Sequence, residues 1–352
     1  MKVLFYIRDN HTEVKGGDLV QLESTAAGLR RLGVEVELSS DSKADLSPYD
    51  IIHIFNSPRF DECLAFLANA KSQQKPVAVS TIFWSKDELG VGVADSSKVR
   101  LAKKIFGIKA SIVLWRLLKG ISRLKAGSNY RLEKELFSGA TMLLPNSEGE
   151  MREIFKVYKL MQPYHAVRNA IETTTFSQVP SLKREDFVLS VGRIESRKNT
   201  LALIEAGKAA KAHLVFIGQV ERGNPYNEVC LKKITDYNFE YLGAMQPQDI
   251  AAYYYKARVH AMASWYETPG LATMEAACGG ATIMSTNRGS TKEYFGELAY
   301  YCDPFSTDSI IEALTQAIAE EPRLSLRNKI MEEYTWDLAA QDTLNAYREI
   351  LA

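Results

Sequence analysis

A regular alternation of two periodicities limits how this chain can fold more than any other feature. Short apolar or β-branched runs fall at 3–7, 34–38, 51–55, 77–83 and 142–145, and again at 187–191, 214–217, 240–242, 259–262, 281–285 and 299–302. Between them lie segments such as 18–32 and 310–320, whose apolar residues recur at i, i+3 and i+4. Apolar strands alternating with amphipathic helices predict parallel sheets covered by helices on both faces. The pattern comes in two series separated by a loop-like stretch near 169–184, so it predicts two doubly wound α/β domains. Ligands of such sheets bind beyond the carboxyl ends of the strands, which predicts a site in the cleft between the two halves.

A length of 352 residues suits two domains. Lys plus Arg and Asp plus Glu each number 43, and a formal net charge of zero argues against a protein that binds nucleic acid through bulk charge. The cysteines, Cys63, Cys230, Cys278 and Cys302, are scattered and contain no Cys-x-x-Cys pair. The histidines, His11, His53, His165, His213 and His260, show no metal-ligand spacing. This argues against a disulfide framework or structural zinc and fits a reducing compartment. No Asp-x-Asp triplet offers a carboxylate clamp for a metal-bound nucleotide. No run approaches the ~20 apolar residues of a membrane span, and residues 1–7 read as a strand rather than a signal peptide. A cytoplasmic protein is expected.

Two carboxylates, Glu267 and Glu275, bracket Thr268-Pro269-Gly270-Leu271. Thr268 suits an N-cap and Pro269 a first helical residue, where a missing N–H costs nothing. The amides of Gly270 and Leu271 would then face outward, ready for a phosphate. Glu275 would lie roughly 7 Å along the axis, at ~1.5 Å per residue, near where a ribose follows that phosphate. Glu267 stays on the loop at the reacting end. Two glutamates eight apart are weak by themselves, since chance supplies such pairs in most chains of this size. Support comes from 192–199, where Arg193 and Lys198 share one strand-to-helix loop before a helix expected near Asn199 or Thr200. An arginine fork and a mobile lysine suit a diphosphate, although a solvated basic loop would look the same. After the first strand, Gly16 and Gly17 allow close backbone approach to a ligand. Asp18 and Gln21 have capping-box spacing, and Gly33 closes the helix. The dinucleotide fingerprint G-x-G-x-x-G is absent, which counts against a nicotinamide enzyme.

Residues 98–131 carry ten Lys or Arg and no acid, interleaved with apolar residues. Such a stretch suits either an anionic bilayer surface or a helical insertion packed on its own domain.

These motifs together resemble the retaining glycosyltransferases of family 4, of GT-B fold. The resemblance rests on Ser190-Val191-Gly192-Arg193 with Lys198, Phe216-Ile217-Gly218, 253–257 leading to Ser264, 267–280, and 289–293. It extends to 167–171 with Phe176 in the linker and to Tyr334-Thr335-Trp336 near the end. It implies an N-terminal acceptor-side domain at 1–170, a nucleotide-sugar domain at 171–335, and a helix at 336–352 that crosses back to the first domain. It also implies transfer of a sugar from an NDP-sugar to a glycan or lipid-linked acceptor with retention of configuration. No cofactor and no obligatory metal are implied. By the same resemblance Arg193 and Lys198 neutralise the diphosphate, Gly270 and Leu271 donate amides to it, and Glu275 binds the ribose. Glu267 faces the donor sugar, while Gly16, Gly17, Gly192, Gly218 and Pro269 line the donor side.

Two departures stand out. Many relatives have a histidine after the strand that here reads 77–84, and this chain has none, so Thr81 or Trp84 is expected to line the acceptor wall. Pro269 also stands where an aromatic or small residue is common. The expected role is surface polysaccharide synthesis at the inner membrane face. A GT-B-type epimerase or phosphorylase, or a non-catalytic nucleotide-sugar-binding subunit, are the alternatives.

Overall fold

The computed structural model describes residues 1–7, 17–55, 59–85, 107, 111, 113–114, 128–181, 183–321 and 324–352. Gly16 and almost all of 98–128 lie outside the described residues. The chain forms two compact units. One comprises Met1–Ser85, Val113–Ala170 and Tyr334–Ala352, and the other is built around Ile171–Glu333.

The first unit contains β1 (Lys2–Tyr6), α1 (Gly17–Arg31), β2 (Glu35–Ser39), β3 (Ile51–Phe55), α2 (Phe60–Ser72) and β4 (Val77–Ser80). It continues through α3 (Asn129–Gly139), β5 (Met142–Leu144) and α4 (Glu148–Tyr158), and later gains α12 (Trp336–Leu351). Its strands form one parallel sheet in the order β2-β1-β3-β4-β5. Alternate residues of each strand face opposite sides. Val3, Phe5, Ile51 and Phe55 pack with α1 and α12 on one face. Leu4, Tyr6, Ile52, Ile54 and Val79 pack with α2, α3 and α4 on the other. Helices α1 and α12 approach closely at Gly28, where an added Cβ would lie 2.6 Å from the Cβ of Ala340. Buried His53 ties α12 to the sheet, with Nδ1 2.7 Å from the Tyr347 hydroxyl and Nε2 2.9 Å from Ser80 Oγ. Burial pushes its pKa down to about 3, so the imidazole is neutral.

The strand expected at 77–83 ends at Ser80, because Ile82 adopts φ 40°, a left-handed conformation that breaks the extended run. Helix α1 begins at Gly17, so Asp18 lies within it and does not cap it. Gln21 is buried and donates to Asn146 Oδ1 at 2.9 Å instead of closing a capping box. Gly33 does follow the helix end, at φ 82°.

Thr81, expected on an acceptor wall, is fully buried and donates its hydroxyl to Glu150. Trp84 is half-buried. Glu150 also accepts from the amides of Phe83 at 2.7 Å and Asn146 at 2.9 Å, so one carboxyl joins the exits of β4 and β5. Burial raises its pKa to about 7, with the three donors opposing. The folded state therefore holds this proton more tightly than the unfolded chain. The associated stability is complete below pH 4.5 and is lost as pH rises through about 7. Glu150→Ala removes the acceptor of three buried donors, each worth about 1–3 kcal/mol, and is expected to destabilise the first unit by about 3 kcal/mol or more. Urea unfolding measures this, and Glu150→Gln should flatten the decline in stability between pH 5 and 8.

The second unit contains β6 (Glu185–Val191), α5 (Thr200–Ala209), β7 (Leu214–Ile217), α6 (Pro225–Asp236), β8 (Glu240–Tyr241), α7 (Pro247–Lys256) and β9 (Ala257–Met262). It then adds α8 (Leu271–Cys278), β10 (Thr282–Thr286), α9 (Thr291–Phe295), β11 (Tyr300–Cys302), α10 (Thr307–Ala319) and α11 (Ser325–Glu333). The parallel sheet runs β11-β10-β9-β6-β7-β8. Winding outward in both directions from the β6–β9 pair is the arrangement of a dinucleotide-type fold, and the order reverses between β6 and β9. Among the described residues, no helix is long and apolar enough to cross a membrane.

Candidate functional site at the β6–β9 switch point

At the carboxyl end of β6 the chain leaves through Gly192, whose amide bonds the Ile217 carbonyl at 2.9 Å. The neighbouring strand leaves through Gly218, where a Cβ would sit 2.0 Å from the Gly192 carbonyl oxygen. Backbone meets backbone here, so only glycine fits. Beyond the buried Ile194, a 3-10 turn at Ser196–Lys198 leads to Asn199, which caps α5 in a left-handed conformation, at φ 53°. The helix thus starts at Thr200, as the sequence of this loop predicts.

That turn directs Lys198 inward. Its ammonium lies 2.7 Å from Glu267 Oε1 with only 15% of the side chain exposed. The same oxygen accepts from Ser264 Oγ at 2.6 Å and has Arg197 Nη1 at 3.9 Å. Glu267 is 5% exposed. Burial opposes its charge, but Lys198 and Arg197 outweigh burial and hold the carboxyl below its ordinary range. Burial likewise opposes the charge on Arg197, and Glu267 and Glu195 more than offset it.

The Glu267 backbone is equally fixed. Its amide donates to the Arg288 carbonyl at 3.3 Å, and its carbonyl accepts from the Ser290 amide at 2.9 Å. The Trp265 amide bonds the Arg197 carbonyl at 3.0 Å, tying the β6 and β9 exits together. The switch point is therefore closed by both main-chain and side-chain bonds.

The turn after Glu267 differs from the expectation. Gly270, at φ 94°, is the cap and α8 begins at Leu271, so Thr268 is not the N-cap and Pro269 lies outside the helix. The left-handed φ that glycine adopts readily moves the start two residues onward. Thr273 and Met274 donate to the Gly270 carbonyl at 2.9 and 3.1 Å, which makes Leu271 and Ala272 the first-turn amides preceding those bonds. Gly270 faces the site from the other side, because a Cβ there would lie 3.5 Å from Glu267 Oε2. Glu275 lies in the second turn, half-buried, and accepts from the Tyr254 hydroxyl at 3.0 Å. Burial raises its pKa.

The structure brings Lys198, Glu267, Gly270, Leu271 and Glu275 to one end of one sheet. It does not bring Arg193 to Glu267. The Arg193 side chain is 67% exposed and reaches Glu195 at 3.6 Å. It lines a cleft of about 770 Å³ with Glu195, Gln219, Arg222, Asn224 and Tyr241, outside the ends of β6, β7 and β8. That volume lies within the ~300–1,000 Å³ of small-molecule sites.

Sequence reasoning missed Arg197, although it adjoins Lys198 in the same turn. It also missed His260 on β9, which is fully buried without a protein partner for either ring nitrogen. Burial and then the Lys198 charge push His260 to about 3, so a neutral imidazole backs the site. Among the described residues, no group of three His, Cys, Asp or Glu is placed to hold a metal ion.

Residues 172–335 match the family model of the glycosyl transferases group 1. The chain is 23% identical over 202 residues to the O-antigen chain mannosyltransferase B of Escherichia coli, covering 51% of this chain and 50% of that protein. The alignment thus spans only half the length of that relative. It is 25% identical over 248 residues to the N-acetylgalactosamine-N,N'-diacetylbacillosaminyl-diphospho-undecaprenol 4-alpha-N-acetylgalactosaminyltransferase of Campylobacter jejuni, covering 66% and 67%. In three dimensions it is similar to HepE of Anabaena, solved with UDP and glucose, with a TM-score of 0.70, 14% identity, and 99% and 100% of the two chains covered. This likeness establishes the fold as GT-B, with two Rossmann-like units. The match over 172–335 encloses every site residue from Gly192 to Glu275, so the likeness to the group 1 glycosyl transferases falls on the second unit and its site.

Proposed function

We propose that the protein is a retaining glycosyltransferase that moves a sugar from an NDP-sugar to a glycan or lipid-linked acceptor in surface polysaccharide synthesis. The observation that carries this reading is the buried, ionised Glu267 held by Lys198 at 2.7 Å beside the first-turn amides of α8. A departing nucleoside diphosphate gathers negative charge while the sugar becomes oxocarbenium-like. The first-turn amides of Leu271 and Ala272 are preorganised to take that charge and Lys198 can turn to meet it, so no metal is required in this reading. Glu267 supplies a negative charge for the sugar side, and Glu275 a ribose partner. Arg193 serves the diphosphate from the edge of the 770 Å³ cleft, which has room for the nucleoside.

The names of the relatives support the acceptor class: one is an O-antigen chain mannosyltransferase and the name of the other includes a diphospho-undecaprenol glycan. HepE was solved with UDP and glucose, which supports the donor class. Action at the cytoplasmic membrane face is part of the proposal and draws on the basic composition of 98–131.

A thermal-shift screen with UDP, GDP, ADP and CDP, followed by transfer assays with the matching sugars, tests the reading. One nucleotide should raise the melting temperature in proportion to ln(1 + [L]/Kd). The product anomer, read by NMR, should keep the donor configuration. No shift with any nucleoside diphosphate would sink the proposal, and binding without turnover would reduce the protein to a nucleotide-sugar-binding subunit.

A further inference from the structure

We infer that Arg197 is a positioning residue that keeps Glu267 ionised and in place when Lys198 turns toward the donor phosphate. The inference rests on the donor reading above and assigns Arg197 no contact with the donor.

Two demands fall on one ammonium group. Lys198 is the close ion-pair partner of Glu267, at 2.7 Å. The proposed reaction also needs Lys198 at the diphosphate. Any movement toward the phosphate weakens its hold on a carboxylate that is 5% exposed. A buried carboxylate without a cation is strongly disfavoured and takes up a proton instead.

Arg197 stands where it can prevent that. Its Nη1 lies 3.9 Å from Oε1, the same oxygen that Lys198 holds. Its opposite edge is fixed, with Nε and Nη2 both 3.1 Å from Glu195 Oε1. The guanidinium also lies 5.6 Å from the centre of the Tyr266 ring. A planar fork with five donors can serve two carboxylates at once, which an ammonium on a flexible stem does poorly. The other groups facing Glu267 cannot replace it. Ser264 is a neutral donor, and the fully buried His260 is neutral. Arg197 and Lys198 both reach Glu267, and Glu195 links Arg197 to Arg193, so a donor that draws on Lys198 leaves Arg197 as the remaining cation within reach of Glu267.

The test uses the full chain and does not depend on turnover. The Glu267 carboxyl is followed by ¹³C NMR with labelled glutamate, and its resonance is assigned by its loss in Glu267→Gln. In Lys198→Ala, which mimics a departed lysine, Glu267 should remain ionised at neutral pH. In Lys198→Ala/Arg197→Gln its titration midpoint should rise by a further one to three pH units or so, the effect of losing a cation within ~4–6 Å. Equal midpoints in the two variants overturn the inference.

Kinetics gives a second readout wherever a donor is turned over. Arg197→Gln should lower kcat about 10-fold, move the acid limb of the kcat/KM profile upward, and leave donor KM within about threefold. Arg197→Lys should restore part of kcat and return the limb toward wild type. A large rise in donor KM with kcat unchanged would make Arg197 a donor contact and overturn the positioning role. Failure of wild type to bind any nucleoside diphosphate would instead count against the donor reading, while the NMR result would still decide whether Arg197 holds Glu267.

Discussion

Glu267→Ala is expected to lower sugar transfer by about 10²-fold or more, the scale seen when one charge-stabilising group is removed from a preorganised site. The loss should appear mainly in kcat, because the carboxylate is placed for charge that develops as the reaction proceeds. Stability should fall too. The substitution leaves Lys198 buried beside Ser264 without its close anion, and breaking a buried pair from one side costs about 3–5 kcal/mol. Glu267→Gln separates the two effects. It preserves shape and an acceptor for Ser264, so it should melt closer to wild type while remaining nearly inactive.

The pH dependence has a definite sign. Folding holds the Glu267 carboxyl below its ordinary value of 4.5. Its stabilising contribution is therefore complete above that value and lost as pH falls further through the folded pKa. Acid unfolding of Glu267→Gln should lack that component. Near-wild-type transfer by the alanine variant in a standard donor assay would refute the site.

Gly289→Ala is expected to destabilise the second unit by about 3 kcal/mol or more and to damage activity at a residue with no assigned chemistry. Gly289 sits at φ 93°, and an added Cβ would lie 1.9 Å from the Glu267 carbonyl oxygen and 2.8 Å from its carbonyl carbon and amide nitrogen. These are backbone atoms, so no rotamer change relieves the contact. Either the loop after β10 moves or Glu267 does, and the Lys198 pair loosens in both cases. Gly33→Ala supplies the control. Gly33 has a similar φ of 82° with nothing within 4 Å of the added carbon, so it should show only the ~1–2 kcal/mol of left-handed strain. Equal losses in urea unfolding of the two variants would show that the Gly289 clamp on Glu267 is unimportant.

Much of the architecture is legible in the local pattern of the chain. The runs at 51–55 and 214–217 coincide with β3 and β7, because strands buried on both faces are apolar almost throughout, His53 apart, and turn residues bracket them. The apolar run at 77–83 overshoots its strand, since nothing in the side chains of Thr81 and Ile82 announces that the backbone turns left-handed. The cap of α8 lies two residues beyond its expected place because Pro269 suits a first helical position so well. The glycine after it wins, since its left-handed φ sets the corner.

Long-range partners are the least legible part of the site. Thr81 meets Glu150, and Glu267 meets Lys198, across 69 residues in each case. Spacing along the chain cannot show which of two cations on one loop, Arg193 or Arg197, turns inward. That choice is made by a 3-10 turn and by the buried Ile194 between them.

The helix α12 carries a consequence for how the protein is made. It shares one face of the first sheet with α1, meets that helix at Gly28 and bonds His53 through Tyr347. Yet it is encoded after the entire second unit. During synthesis the segment that emerges first must wait with part of one apolar face uncovered beside α1, while the later unit can close as soon as its own residues are out. The half begun earliest is thus the one completed last.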